Sequence, residues 1–288
     1  MTRFPPKKIL VPFDLSALSA AAWRHAAALA RRFGAELEVV HVRDWALGAE
    51  LAPLPPPALS SEDRRELLAR IRETVGIRPK ITLAVGDPAR VLLRLARSRR
   101  VDLIVMGTHG RTGLERVFLG SVTEAVVRGS PAPVLAVRGR SAAIRSVLAP
   151  VNFSATSDCG FAYASEMAAA LDARLTALHV HVDPLWNGDP GRKLSRLVER
   201  LPAARRRSCR PVVETGQSEA TRGILKAAAS HDVIVLVAHE TPPLKDVLLG
   251  TTAERVLRGC AASVLVVPVR RGEPEVRKDH PTPCCAPV

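Results

Sequence analysis

In the stretch Asp102-Leu-Ile-Val-Met-Gly107-Thr-His-Gly110-Arg-Thr-Gly113-Leu-Glu-Arg-Val-Phe-Leu-Gly120-Ser121-Val122-Thr123, an apolar run from Leu103 to Met106 is bounded by Asp102 and Gly107. That pattern predicts a strand buried on both faces, as in a parallel sheet. Glycines then recur at 107, 110 and 113, and Gly120-Ser121 leads into Glu124-Ala-Val-Val-Arg128, which reads as a helix capped by Ser121 or Thr123. Strand, glycine loop and helix N-terminus together describe a phosphate cradle. Glycine lets the backbone approach an anion, and the first helical N–H groups offer donors and a partial positive charge worth about 0.3–2 kcal/mol. The loop is not a Walker A motif, because no lysine lies between Asp102 and Thr123, and the Gly-x-Gly-x-x-Gly spacing is also absent.

Upstream, strand and helix patterns alternate: strand Lys8 to Val11, helix Ser19 to Phe33, strand Leu37 to Val42, a proline loop Pro53 to Pro57, helix Ser61 to Val75, strand Ile81 to Val85 and helix Pro88 to Arg97. Strand Val134 to Val137 follows the cradle helix. Such alternation predicts a parallel sheet with helices on both faces. Ligands in these sheets bind at the carboxyl ends of the strands, where the winding reverses. Asp14 follows the first strand and Gly107 the fourth, so a shared site needs those strands adjacent, which the order 3-2-1-4-5 provides.

The pattern then repeats. Asn152 stands 138 residues after Asp14, and Leu178-His179-Val180 repeats Val40-His41-Val42 at the same offset. Gly216 and Gly250-Thr251 answer Gly86 and Gly120-Ser121 at an offset of 130. Tandem copies of one domain are the economical reading, with domains at 1–140 and 141–270 and a proline- and charge-rich tail at 271–288 that reads as disordered. In the second copy Gly107, Gly110 and Gly113 become Val237, Glu240 and Pro243. Valine blocks close approach, proline removes a donor, and a glutamate about 5 Å from a phosphate would repel it by roughly 3 kcal/mol per charge pair at an effective dielectric near 20.

The spacing Gly107-x2-Gly110-x9-Gly120-Ser121 resembles the nucleotide-binding signature of the ATP-binding branch of the universal stress protein family. Lys8-Ile-Leu-Val-Pro12-Phe-Asp14-Leu-Ser16 resembles that family's first strand and acidic loop, and Val39-Val40-His41-Val42 the end of its second strand. The resemblance implies an α/β fold of two tandem open five-stranded parallel sheets, like the adenine nucleotide alpha hydrolases. It implies ATP, with Mg²⁺ or Mn²⁺ held mainly through the phosphates, bound once per chain in the first copy. Asp14 would meet the adenosine, its alternative being a helix-capping aspartate; Val42 would pack on adenine, Met106 wall the pocket and Pro12 shape the turn. Gly107, Gly110, Gly120, Ser121, Val122 and Thr123 carry over as phosphate and ribose contacts. Arg111 would neutralise the triphosphate or stand as an exposed loop arginine. His41 and His179 recur at equivalent points and read as structural. The expected role is nucleotide-dependent regulation in stress tolerance; the other two expectations are a slow ATPase or phosphotransferase, and a dimeric scaffold that binds no nucleotide. A pseudo-dimer within the chain, and a homodimer between chains, are expected partners.

Composition bounds the rest. The formal charge is +14 and the pI about 10.7, which raises nucleic acid as a partner. Arginines are spread over both halves and aromatics are only 3%, too few for base stacking, so a solvated basic surface is expected instead. No apolar run approaches a membrane span and Met1 to Leu18 lacks a signal-peptide core, so a cytoplasmic location is expected. Five cysteines, with only Cys284-Cys285 close together, predict reduced thiols rather than a disulfide framework or zinc site.

Overall fold

The structure is a computed structural model, and it describes residues 4–44, 60–75, 79–108, 119–138, 143–182, 188–216, 219–240, 247–248 and 250–269. The proline loop Pro53 to Pro57, the glycine-loop residues His109, Gly110, Arg111 and Gly113, and the tail 271–288 lie outside the described residues. Two compact units emerge: Pro6–Ala142, the first unit, and Ala143–Val288 with Met1–Pro5, the second.

The first unit runs β1 (Lys8–Pro12), α1 (Ala17–Phe33), β2 (Glu36–Arg43), α2 (Ser61–Val75), β3 (Lys80–Val85), α3 (Pro88–Ser98), β4 (Leu103–Gly107), α4 (Ser121–Gly129) and β5 (Val134–Val137). All pairings are parallel, in the order β3-β2-β1-β4-β5. Ile9 and Leu10 stand opposite Leu103 and Ile104, and all four are 1% exposed or less, so the two central strands are buried on both faces as their apolar runs predict. Each such side chain contributes about 1.5–3 kcal/mol by leaving water.

The second unit runs β6 (Ser146–Pro150), α5 (Ala155–Leu171), β7 (Arg174–Val180), α6 (Pro190–Glu199), α7 (Ala203–Arg206), β8 (Cys209–Glu214), α8 (Ala220–Ala228), β9 (Val233–Glu240), β10 (Val247–Leu248), α9 (Thr251–Gly259) and β11 (Ser263–Val269). Its parallel order, β8-β7-β6-β9-β11, reproduces the first, with β10 added antiparallel to β9. The basic run Arg205-Arg206-Arg207 belongs to the short helix α7 and its C-cap. Phe4 packs edge-on against Tyr163 with ring centroids 6.0 Å apart. Cys159, Cys209 and Cys260 are buried thiols, and burial pushes the Cys209 thiol up to about 11.

Two polar devices fix the strand starts in both units. Asp102 Oδ2 accepts from the N–H groups of Lys7 and Lys8, each at 2.9 Å, and ties the entrance of β4 to that of β1. Asp232 repeats this with the N–H groups of Arg145 and Ser146, at 2.9 Å each, and adds the Ser146 hydroxyl at 2.8 Å. Burial pushes the Asp232 carboxyl up, but these donors and the Arg145 charge outweigh it and hold the group below the usual carboxylate range.

On the next strand the units differ. Glu38 of β2 is buried, paired with Arg99 and accepting from the Thr82 hydroxyl at 2.6 Å. The second unit places neutral Thr176 there, bonded at 2.9 Å to Nε2 of His231. Because Nδ1 of His231 donates to the Ala227 carbonyl, at 2.8 Å, Nε2 is the acceptor and the Thr176 hydroxyl the donor.

Candidate functional site

Adjacency of β1 and β4 brings the segment after Pro12 beside the segment after Gly107, at the carboxyl ends of the strands. Pro12 closes β1 opposite Val40, Val42 pairs with Ala84 near the end of β2, and Met106, 4% exposed, pairs with Ala136. Behind Pro12 the chain turns tightly. Asp14 Oδ1 accepts from the Ser16 N–H at 3.0 Å, and Leu15 between them adopts φ 68°, a left-handed conformation that a bulky side chain rarely takes. The cap of α1 is Ser16, whose hydroxyl accepts from the Ser19 N–H at 3.1 Å. Asp14 is therefore not the helix cap, and its other oxygen meets no donor among the described residues.

On the β4 side, two bonds hold the start of α4 against the end of the strand. The Gly120 N–H donates to the Thr108 carbonyl at 2.8 Å, and the buried Thr123 hydroxyl donates to the Gly107 carbonyl at 2.9 Å. The cap expected at Ser121 or Thr123 is instead Gly120, extended at φ −62° and ψ 143°, with no side-chain cap bond. Ser121 is the first helical residue and exposed; Thr123 is spent on the strand. The first intrahelical bond runs from the Glu124 N–H to the Gly120 carbonyl at 2.9 Å, which leaves the N–H groups of Ser121, Val122 and Thr123 at the open end of the helix. They form a donor set for an anion, reinforced by the helix dipole.

Gly107 is required by packing. A Cβ there would lie 2.9 Å from Leu18 Cβ and 3.0 Å from the Leu18 carbonyl carbon, so α1 can cross the end of β4 only over a glycine. The signal for this was the glycine itself, but which helix presses on it could not be read from spacing. His41, half-buried on β2, donates from Nδ1 to the Phe13 carbonyl at 2.7 Å, and His179 does the same to Val151 at 2.9 Å. Both histidines therefore staple the second strand to the turn that carries the acidic position. Burial lowers the His179 pKa first of all; the bond to Val151 opposes, and His181 and Lys193 add to the lowering.

A model of the universal stress protein family matches residues 5–138 and again 143–268. The chain belongs to the universal stress protein family. A universal stress protein of Methanocaldococcus jannaschii is 37% identical over 139 residues, covering 46% of this chain and 82% of that protein. A Mycolicibacterium smegmatis universal stress protein is 26% identical over 288 residues, covering 90% of this chain and 96% of its own length. The crystal structure of a universal stress protein from Archaeoglobus fulgidus superposes with a TM-score of 0.72 at 21% identity, covering 92% of this chain and 99% of that one. The last likeness shows the fold, and the pair of matches shows the tandem form.

Within this universal stress protein the second copy departs from the first where the cradle would lie. β9 does not stop at the residue equivalent to Gly107 but runs on to Glu240, pairing with β11 over seven positions where β4 and β5 pair over four. Glu240 and His239 then pair with Val247 and Leu248, so a hairpin takes up backbone groups that a loop would leave free. Asn152 replaces Asp14, and its side-chain oxygen accepts both the N–H and the hydroxyl of Ser154, at 3.1 and 2.6 Å. Phe153, at φ 61° where the first unit has Leu15, lays its ring 4.4 Å from that of His179, and Lys193 Nζ lies 5.7 Å from the Phe153 centroid. The helix end survives: Gly250 precedes α9, and the Glu254 N–H donates to its carbonyl at 2.9 Å. Among the described residues no group of three or more histidine, cysteine or acidic side chains is placed to hold a metal ion, and no helix is long and apolar enough to cross a membrane.

Proposed function

We propose that this universal stress protein binds one ATP per chain in the first unit and acts as a nucleotide-dependent regulator in stress tolerance. The observation that carries the reading is the pair of bonds holding the α4 N-terminus to the end of β4, with the N–H groups of Ser121, Val122 and Thr123 meeting no acceptor among the described residues. Phosphates would rest on those donors and on Gly107, Gly110 and Gly120, with Arg111 beside them. The adenosine would reach Asp14, Val42, Met106 and the Pro12 turn. Mg²⁺ or Mn²⁺ would arrive with the phosphates, since a carboxylate cage is not needed for a metal held that way. The second unit, with strand and hairpin in place of the loop, would take none.

Domains at 1–140 and 141–270, a pseudo-dimer within the chain, pairing into a homodimer and a cytoplasmic setting complete the proposal. The test is the identity and amount of nucleotide released when freshly purified protein is denatured, read by chromatography and mass. About one ATP per chain is the expected result. Two per chain would overturn the degenerate second copy. ADP or AMP in its place would give the protein to slow hydrolysis, and no nucleotide, with no uptake of added Mg-ATP, would leave a scaffold.

A further inference from the structure

Helix α3 carries Arg90, Arg94 and Arg97, spaced four and three residues apart and so on one face. All three are exposed, and none has a carboxylate partner among the described residues. Arg97 is held by a bond from its guanidinium to the Gly129 carbonyl, at 3.2 Å, at the last residue of α4. Together with Leu93 and Ser98 these arginines line an open groove of about 570 Å³. Ser98 also borders a second cavity, of about 510 Å³, where Lys8, Lys80, Arg99 and Arg100 outnumber Glu36 and Glu38. Positive charge therefore continues from one concavity into the next.

The second unit shows that this is not simply what the helix must carry. Helices α3 and α8 align by their buried faces, Val91, Leu92 and Ala96 against Gly223, Ile224 and Ala228, and by Leu93 and Leu225 lying over Gly129 and Gly259. Arg90 and Arg94 then correspond to Arg222 and Lys226, and Arg97 to Ala229. Lys226 is neutralised by Glu214 at 2.6 Å; the first unit has Ala84 at that place. Two residues of the first unit, Arg99 and Arg100, fall where α8 reaches its sheet by a shorter turn. The second copy neutralises one of these cations and lacks another, and the first gathers all three around a groove.

We infer that the α3 groove is a binding site for inorganic polyphosphate. Guanidinium groups match phosphate oxygens with paired donors, and a row of unneutralised cations repels itself until a polyanion lies along it. The helix rise sets Arg90 and Arg97 roughly 10 Å apart, a span that several linked phosphates cover and the phosphate chain of one nucleotide does not. No aromatic side chain lines either cavity, so neither has a platform for the bases of a single-stranded nucleic acid. Val182 is the exposed large apolar side chain among the described residues and belongs to the other unit, so the groove has no apolar wedge for a lipid surface.

The experiment is calorimetric titration of the full chain with inorganic polyphosphate at stepped salt concentrations, using wild type, R90Q/R94Q and a control, R222Q/K226Q. The two pairs remove the same charge from exposed positions of equivalent helices. The expected result is at least tenfold weaker binding by R90Q/R94Q, a salt dependence shallower by about two counterions, and a change within twofold for the control. Retention of ATP is unchanged in R90Q/R94Q, which separates this site from the nucleotide cradle. Equal weakening in both variants would overturn the site in favour of a diffuse basic surface. Absence of wild-type binding at physiological salt would overturn it outright, as would tighter binding of duplex DNA or anionic vesicles matched in phosphate concentration.

Discussion

The two units share a strand order, a strand-entrance clamp and a histidine staple, yet they part where the fourth strand ends. In the first, β4 halts at Gly107 and α1 crosses over it; in the second, β9 continues through Val237 into a hairpin. Space is exchanged across the layers. A Cβ added at Gly160 of α5 would meet Val237 Cγ1 at 2.6 Å, so the volume that the first unit gives up on the strand the second gives up on the helix. The two contacts are one helical turn apart, because Leu18 corresponds to Thr156 and Gly160 to Ala22. Duplicated architecture thus does not duplicate a site, because the site depends on which layer carries the glycine.

The strongest way to break the contrast is Gly107→Val, which copies the second unit into the first. With Leu18 backbone 3.0 Å from the new Cβ, α1 must move, and a loss of about 3 kcal/mol in the first unit, together with loss of bound nucleotide, is expected by denaturant unfolding and nucleotide release. Arg99→Ala comes next. It leaves Glu38, whose side chain is 7% exposed, without its guanidinium, and because Arg99 is 28% exposed the expected cost is about 2 kcal/mol rather than the full value for a buried pair. The matching His231→Ala in the second unit breaks a neutral bond to Thr176 and should cost about 1 kcal/mol. Equal losses from the two changes would mean that the ion pair and the neutral pair are interchangeable.

Smaller still is Gly160→Ala, where overlap with Val237 outweighs the gain in helix propensity, leaving a net loss of about 1 kcal/mol. Adding Val237→Ala should recover most of it in a double-mutant cycle, and additive losses would refute the exchange of volume. The smallest effect is pH-dependent. Because the folded Asp232 carboxyl sits below its unfolded value, its contribution is present above about pH 4 and is lost as pH falls through the lowered folded pKa. Asp232→Asn should therefore unfold more easily at neutral pH, by under about 1 kcal/mol, with the difference from wild type closing in acid. A constant difference across that range would remove the carboxylate charge from the account.

Much of this was legible in the residues. Apolar runs such as Leu103 to Met106 marked the buried strands, and the need to bring Asp14 near Gly107 fixed the neighbours of β1. Ser61 to Val75 and Val134 to Val137 stand where periodicity set them. What escaped was set by contacts distant in sequence. Gly120 rather than Ser121 caps α4 because its N–H must return to Thr108, which no local propensity encodes. Asp102 read as a strand boundary, and only the position of β1 makes it a clamp on Lys7 and Lys8. Glu240 read as a charge misplaced in a cradle, whereas the backbone around it is already paired with β10. Gly110 and Arg111, which the spacing singles out, lie outside the described residues.

The packing of Gly160 against Val237 also constrains what could be done to the second copy. Converting Val237 to glycine would not reopen its mouth: it would place two glycines face to face and leave a void, since the first unit has Ala22 where the second has Gly160. The pairing of Glu240 with Val247 would still occupy the end of β9. A search that accepts one substitution at a time would meet a loss at its first step from either direction, so a second nucleotide site is reachable only by changing helix, strand and loop together.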